Sequence, residues 1–194
     1  MYKRQVFVLP WLTLPPRDKV FKARQLLQSL GAVNDKGEIT PHGKKLARIP
    51  CHPRIAQMLT VADDNATKAL GADIAAILDE KDPINDENDC DITTRIILLR
   101  EARRRGNGGR FGRIIKIAEQ YRRLVNAKED NTIPDQTAIG ALVALAYPER
   151  TAMMVADCRY RLANGDEVRI NAEDALSSKK LLAIASLGLS LIHI

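Results

Sequence analysis

The sequence predicts a mainly α fold that gives way to a short β element, and three observations carry that expectation. Apolar residues recur at helical spacing in successive stretches up to about residue 147. Prolines, glycines and helix-capping side chains cut those stretches into helix-length pieces. After Pro148 the period falls toward two, around an Asn164-Gly165 turn signal.

Taken in order, Pro15-Pro16 ends an extended entry, and Asp18 is expected to cap a helix over about 18–31 that Gly31 stops. Its stripe is Val20, Ala23, Leu26, Leu27 and Leu30. Ala32-Val33 and Glu38-Ile39-Thr40 flank Asn34-Asp35-Lys36-Gly37 as a short β-hairpin. Thr40 then caps a helix with Pro41 at its first position, where the missing N–H costs nothing. Helix, small hairpin, helix is the outline of a winged-helix edge. Pro50 and Pro53 separate it from helices expected at about 53–64, 66–79, 92–105, 110–128 and 135–147. The fourth carries Ile114, Ile115, Ile117, Ala118, Tyr121, Leu124 and Val125 on one stripe, and Tyr121 is expected to pack in the core. The last, Ala138-Ile-Gly-Ala-Leu-Val-Ala-Leu-Ala, is apolar nearly all round and is expected to be the buried centre of a bundle. Strands are expected at 157–163 and 167–170, with a third within 180–186, and the β element reads as incomplete.

Charge is unevenly distributed along the chain. Of its 194 residues, 79–91 (DEKDPINDENDCD) hold seven acids and one lysine. Residues 100–123 hold nine Lys/Arg against two Glu. An acidic segment thus precedes a basic one, either as solvated surface or as a footprint for a polyanion. No apolar run approaches the roughly 18 residues of a membrane span, so no membrane partner is expected. Three scattered cysteines without a C-x-x-C pair fit reduced thiols in a cytoplasmic protein.

The two ends fit their neighbours poorly. Residues 1–5 (MYKRQ) can be coded GTG TAT AAG AGA CAG, with GTG read as a starting Met. The reverse complement of that string translates to Leu-Ser-Leu-Ile-His, which is residues 189–193. Residues 1–5 and 189–194 are therefore expected to be translated adapter, and the nucleotide sequence tests this directly: other codons there remove the argument.

The stretch RRRGNGGRFGR (103–113) invites a phosphate-loop reading, but no Lys-Ser/Thr pair follows its glycines and the segment before it is helical. The acids of 86–91 lack the central glycine and closing glutamate of a calcium loop, and Asp91 suits a helix cap. Cys51-His52 has no further ligands at zinc-finger spacing. Nor do Ser, His, Cys and Asp fall into a nucleophile–base set. No catalytic residue, bound cofactor or metal is expected in this stretch of chain.

PWLTLPP (10–16) and ARQLLQSLGAVNDKGEITPHGKKLARIPCHPRIAQML (23–59) resemble the helicase-associated region of DEAH-box helicases. The matching features are a proline-rich entry, a leucine-rich helix ending in Leu30-Gly31-Ala32, a G-x-[IL]-T-x-x-G turn (37–43) and a P-x-x-P-R start (50–54). AAILDEKDPI (75–84), ALAYPERTA (144–152) and CRYRLANGDEV (158–168) are similar to later segments of the HrpB-like subfamily.

That resemblance implies a winged-helix edge and helicase-associated start over 6–52. It further implies a helical ratchet-like bundle over 53–150 and an incomplete C-terminal β element over 151–188. It also implies a parent enzyme hydrolysing ATP with Mg in two RecA-like motor domains; neither the Walker A loop nor the DEAH box occurs in this sequence. The expected partners are single-stranded RNA or DNA and those motor domains. Charge alone nominates Arg103, Arg104, Arg105, Arg110, Arg113 and Lys116 for contact with a nucleic-acid backbone. The alternative is a helical protein-interaction domain docking a partner, or the motor, through its acidic loop and basic helices. An independent winged-helix regulator of duplex DNA is a further alternative.

Overall fold

The computed structural model describes residues 10–84 and 89–187. The suspected adapter residues, 1–5 and 189–194, lie outside these, as do 85–88 of the acidic segment. The chain divides into two compact units, residues 1–56 and 57–194.

In the first unit, α1 (Arg17–Ser29) ends because Gly31 takes φ +65°. The Ala32 N–H then reaches the Leu27 carbonyl at 2.8 Å and the Gly31 N–H reaches Gln28 at 2.9 Å, which satisfies carbonyls left open at the helix end. Asp18 lies inside the first turn, and Pro16 precedes the helix without a side-chain cap, so the expected cap is replaced by proline geometry. The expected hairpin is reduced to one antiparallel bridge, Val33 to Ile39. Asn34 explains why: its Oδ1 accepts from the N–H groups of Lys36 and Glu38, so the side chain organises the turn where ladder bonds would run.

Thr40 caps α2 (Pro41–Leu46) as expected, its Oγ1 accepting from the Gly43 N–H at 2.9 Å. A Cβ on Gly43 would stand 2.0 Å from the Ala32 carbonyl oxygen, so α2 can lie this close to the turn only with glycine there. Ala32, Leu46 and Ala56 form the small core, with Leu27, Ile49 and Cys51 packed against it.

The second unit contains the end of α3 (Pro53–Val61), then α4 (Asn65–Asp79), α5 (Ile92–Arg104), α6 (Gly112–Leu124) and α7 (Gln136–Ala146). The centre of this bundle is α4. Every residue from Ala69 to Ile77 is buried, whereas α7 buries Ile139, Leu142, Val143 and Ala146 along one side. The expectation that α7 is the centre is thus corrected. The physical reason is size: Ala69, Gly71, Ala72, Ala75 and Ala76 let α5, α6 and α7 all pack against α4. Tyr121 is buried as expected, and its hydroxyl donates to the Asp79 carboxylate.

After α7 come β1 (Thr151–Ala156), β2 (Arg159–Leu162), β3 (Glu167–Arg169) and β4 (Leu181–Ala183), an antiparallel sheet in the order β3-β2-β1-β4. The strand β1 went unforeseen in the sequence, because TAMMVA alternates too weakly to mark a strand by itself. The turn at Asn164-Gly165 is present, with Gly165 at φ +94°. One face of the sheet is closed by Ala152, Tyr160, Leu162, Val168, Ile170, Leu182 and Ile184. The fully buried Tyr160 directs its hydroxyl at the carbonyls of Leu176, Ser177 and Lys179, at 2.7–3.1 Å.

Candidate nucleic-acid interface

The basic junction between α5 and α6 is built by a helix stop. Asp91 caps α5, its Oδ1 accepting from the Thr93 N–H at 2.8 Å. At the other end Gly106 takes φ +66°, so its N–H reaches the Arg103 carbonyl at 3.1 Å and the Asn107 N–H reaches Ala102 at 3.2 Å. This paired closure consumes carbonyls that a helix end leaves open, and the arginines of the last turn complement its partial negative charge. Gly108 lies so close to Gly112 that a Cβ would fall 2.7 Å from the Gly112 Cα. The glycines therefore shape a tight turn between helices. They do not form a cradle for phosphate, and no Lys-Ser/Thr pair accompanies them.

Successive helix positions differ by about 100°, so the three adjacent arginines diverge. Arg103 turns inward. Its side chain is only 5% exposed and is ion-paired with the fully buried Asp73 of α4. Its Nη1 also donates to Asn131 Oδ1 at 3.2 Å. Arg104 is exposed and makes no ion pair among the described residues. Arg105 is 69% exposed and pairs with Glu101 one turn back. Of the remaining candidates, Arg113 is 80% exposed with its Nε 2.9 Å from Glu80. Arg110 donates to the Pro83 carbonyl at 3.2 Å. Lys116 is exposed, with no ion pair among the described residues. The six nominated cations thus separate into one buried residue and five surface ones, two of which touch the acidic segment. That burial corrects the expectation that Arg103 lies on the surface; packing against Asp73 takes it out of the row.

Arg103 belongs to a cluster that charge counting missed. Asp73 receives Arg100 Nε at 2.9 Å and Arg103, with Arg122 Nη1 at 3.7 Å. Arg100 Nη1 continues to the Thr132 carbonyl at 2.6 Å, and Arg122 Nη2 to Glu129 at 3.3 Å. Burial pulls the Arg122 pKa below its ordinary value, and the neighbouring Arg103 charge adds to that. The cluster ties α4, α5, α6 and the segment before α7 together. A signal for it was available: Asp73 stands alone in ALGADIAAIL, and a lone acid in an apolar helix needs a buried cation. Nearer the start of α5, Arg95 holds Asp82 and Asp89 at 2.9 Å each. Burial opposes its charge, but these carboxylates outweigh that and raise its pKa.

Among the described residues no group of three or more His, Cys, Asp and Glu is placed to hold a metal ion. No helix there is long and apolar enough to cross a membrane.

Residues 23–51 match the family model for the helicase associated domain (HA2), winged-helix. Over 175 residues the chain is 31% identical to the ATP-dependent RNA helicase HrpB of Escherichia coli, a match covering 90% of this chain and 20% of that protein. It is 41% identical over 78 residues to the probable ATP-dependent RNA helicase DHR1 of Saccharomyces cerevisiae, covering 40% of this chain and 6% of that one. A crystal structure of the E. coli DExH-box NTPase HrpB superposes with a TM-score of 0.71 at 30% identity, covering 93% of this chain and 20% of that chain. The chain spans about a fifth of the length of HrpB.

Proposed function

This chain belongs to the HrpB-like DEAH-box helicases, and we propose that it serves as the ratchet-like, nucleic-acid-engaging region of such an enzyme. Its role is to hold the backbone of a single strand while motor domains elsewhere in the parent protein hydrolyse ATP with Mg. The observation that carries this reading is the row of exposed cations around the α5–α6 junction. Arg104 and Lys116 are exposed without an ion pair among the described residues, beside Arg105, Arg110 and Arg113. Cations of this kind read phosphate spacing and not base identity. The chain contains only 4% aromatic residues, which argues against a stacking platform for bases. The relatives are named as RNA helicases, so RNA is the first strand to test. The junction residues do not fit ATP and Mg, and no step of nucleotide chemistry is assigned to them.

Anisotropy of fluorescein-labelled oligo(U) and oligo(dT) against the full chain tests the reading. Arg104→Glu with Lys116→Glu should weaken binding at least tenfold while leaving the helical circular-dichroism signal unchanged. Unaltered affinity would assign the row to a motor domain or to solvent instead.

Docking to the motor domains is the second reading, and the first unit supports it. No residue of α1 is buried, and Leu12, Leu14 and Phe21 are exposed large apolar side chains. Exposed apolar side chains concentrated within ten residues of the chain favour a protein partner. In contrast, Arg110 and Arg113 reach the acidic segment of their own chain.

A further inference from the structure

The C-terminal sheet has one closed face and one open face, and the open face has a composition that a strand backbone does not call for. Tyr160 pairs with Val168 on the closed side, so Arg159, Arg161, Glu167 and Arg169 all project from the other. Next to them, Arg161 stands opposite Met153, which in turn stands opposite Leu181. Met153 is 60% exposed and Leu181 67%, and Val155 is exposed on the same side. A groove of about 520 Å³ runs here, lined by Met153, Val155, Leu181, Lys180 and Asp157 among others.

The arginines are arranged against their own mutual repulsion. Arg159 and Arg169 are direct cross-strand partners, a like-charge pairing that weakens a sheet. The single carboxylate among them, Glu167, accepts from Arg159 at 2.9 Å and Arg161 at 3.0 Å. It holds two guanidinium groups in fixed orientations, with most of their donors still available. Arg169 makes no ion pair among the described residues. A carboxylate bound over Arg159 and Arg169 would relieve the repulsion that Glu167 leaves.

We propose that this open face docks an acidic protein segment in extended form. Its carboxylates would be taken by Arg159, Arg161 and Arg169, and its apolar side chains by Met153, Val155 and Leu181. The apolar row decides between a protein and a nucleic acid. Methionine and arginine around a leucine are typical of protein interfaces, whereas phosphates bury no apolar area. The one aromatic ring of these strands, Tyr160, is on the closed side and unavailable for stacking on bases.

The test uses the full chain and a fluorescein-labelled twelve-residue peptide of alternating glutamate and valine. Its glutamine-for-glutamate counterpart and oligo(U) serve as comparators. The glutamate peptide should bind at least tenfold more tightly than the glutamine one. Arg161→Gln with Arg169→Gln, and separately Met153→Ser, should each weaken it at least fivefold; all three positions are exposed, and circular dichroism verifies the fold. Absence of glutamate-peptide binding overturns the proposal. So does equal binding of the two peptides, affinity unchanged in the variants, or binding of oligo(U) alone that the arginine substitutions reduce.

Discussion

Asp73 is a single buried anion facing three guanidinium groups, and its effect on stability depends on that imbalance. Arg100, Arg103 and Arg122 are each nearly inaccessible, and one nitrogen on each (Arg100 Nη2, Arg103 Nε, Arg122 Nη1) has no hydrogen-bond partner among the described residues. Neutralising the acid leaves three buried guanidinium groups with only the half-exposed Glu129 and the more distant Asp130 to offset them, and such a loss costs about 3–5 kcal/mol. Asp73→Asn should therefore lower the unfolding free energy measured in urea by that amount, whereas Arg104→Gln at the exposed end of α5 should barely change it. Cys90 supplies a second residue-level expectation. Burial and the adjacent Asp174 push its thiol up to about 12 from an ordinary value near 9.0. It should resist iodoacetamide at pH 8.5 until the chain is unfolded. The unfolded thiol releases its proton near pH 9.0 while the folded one keeps it, so this residue makes stability fall as pH rises above that value. Denaturation midpoints measured at pH 8 and pH 10, in the native chain and in Cys90→Ala, check the sign.

Helix ends proved more informative than helix middles. In α1 and α5 a glycine beyond the last turn, Gly31 or Gly106, takes a left-handed conformation and closes the carbonyls; in α6 Asn126 does the same at φ +52°. An alanine at Gly106 must adopt φ near +66°, at roughly 1–2 kcal/mol, and thermal melts of Gly106→Ala should show that loss. Gly43→Ala meets a different obstacle, backbone at 2.0 Å, and should cost about 1–3 kcal/mol as α2 is forced away from the turn. These ends explain what the sequence could convey. Stops at Gly31 and the Thr40-Pro41 start are local chemistry and were readable. The choice of α4 over α7 as the centre was not, because it depends on which helix has neighbours on every side. The separation of Arg103 from Arg104 was only half readable. Helical geometry says that they diverge, but the inward direction is set by Asp73, thirty positions earlier in the chain.

For the molecule as a whole, the uneven charge read from the sequence is partly cancelled within the fold. Arg95 takes Asp82 and Asp89, and Asp73 absorbs Arg100, Arg103 and Arg122. The cations left for a strand are Arg104, Arg105, Arg110, Arg113 and Lys116. Salt dependence should reflect that smaller set. With at most five phosphates neutralised, the slope of log affinity against log salt should be no steeper than about −3.5. Titrations of oligo(U) between low and moderate salt measure it, and a much steeper slope would mean that other cations take part. The turn after α5 has a consequence for kinetics as well. Because the N–H groups of Gly106 and Asn107 are already bonded to Arg103 and Ala102, the directions in which the arginines fan out are set before any strand arrives. Amide exchange at these two positions should be slow in the unbound chain and stay so on binding, the mark of a grip that is rigid in advance of its load.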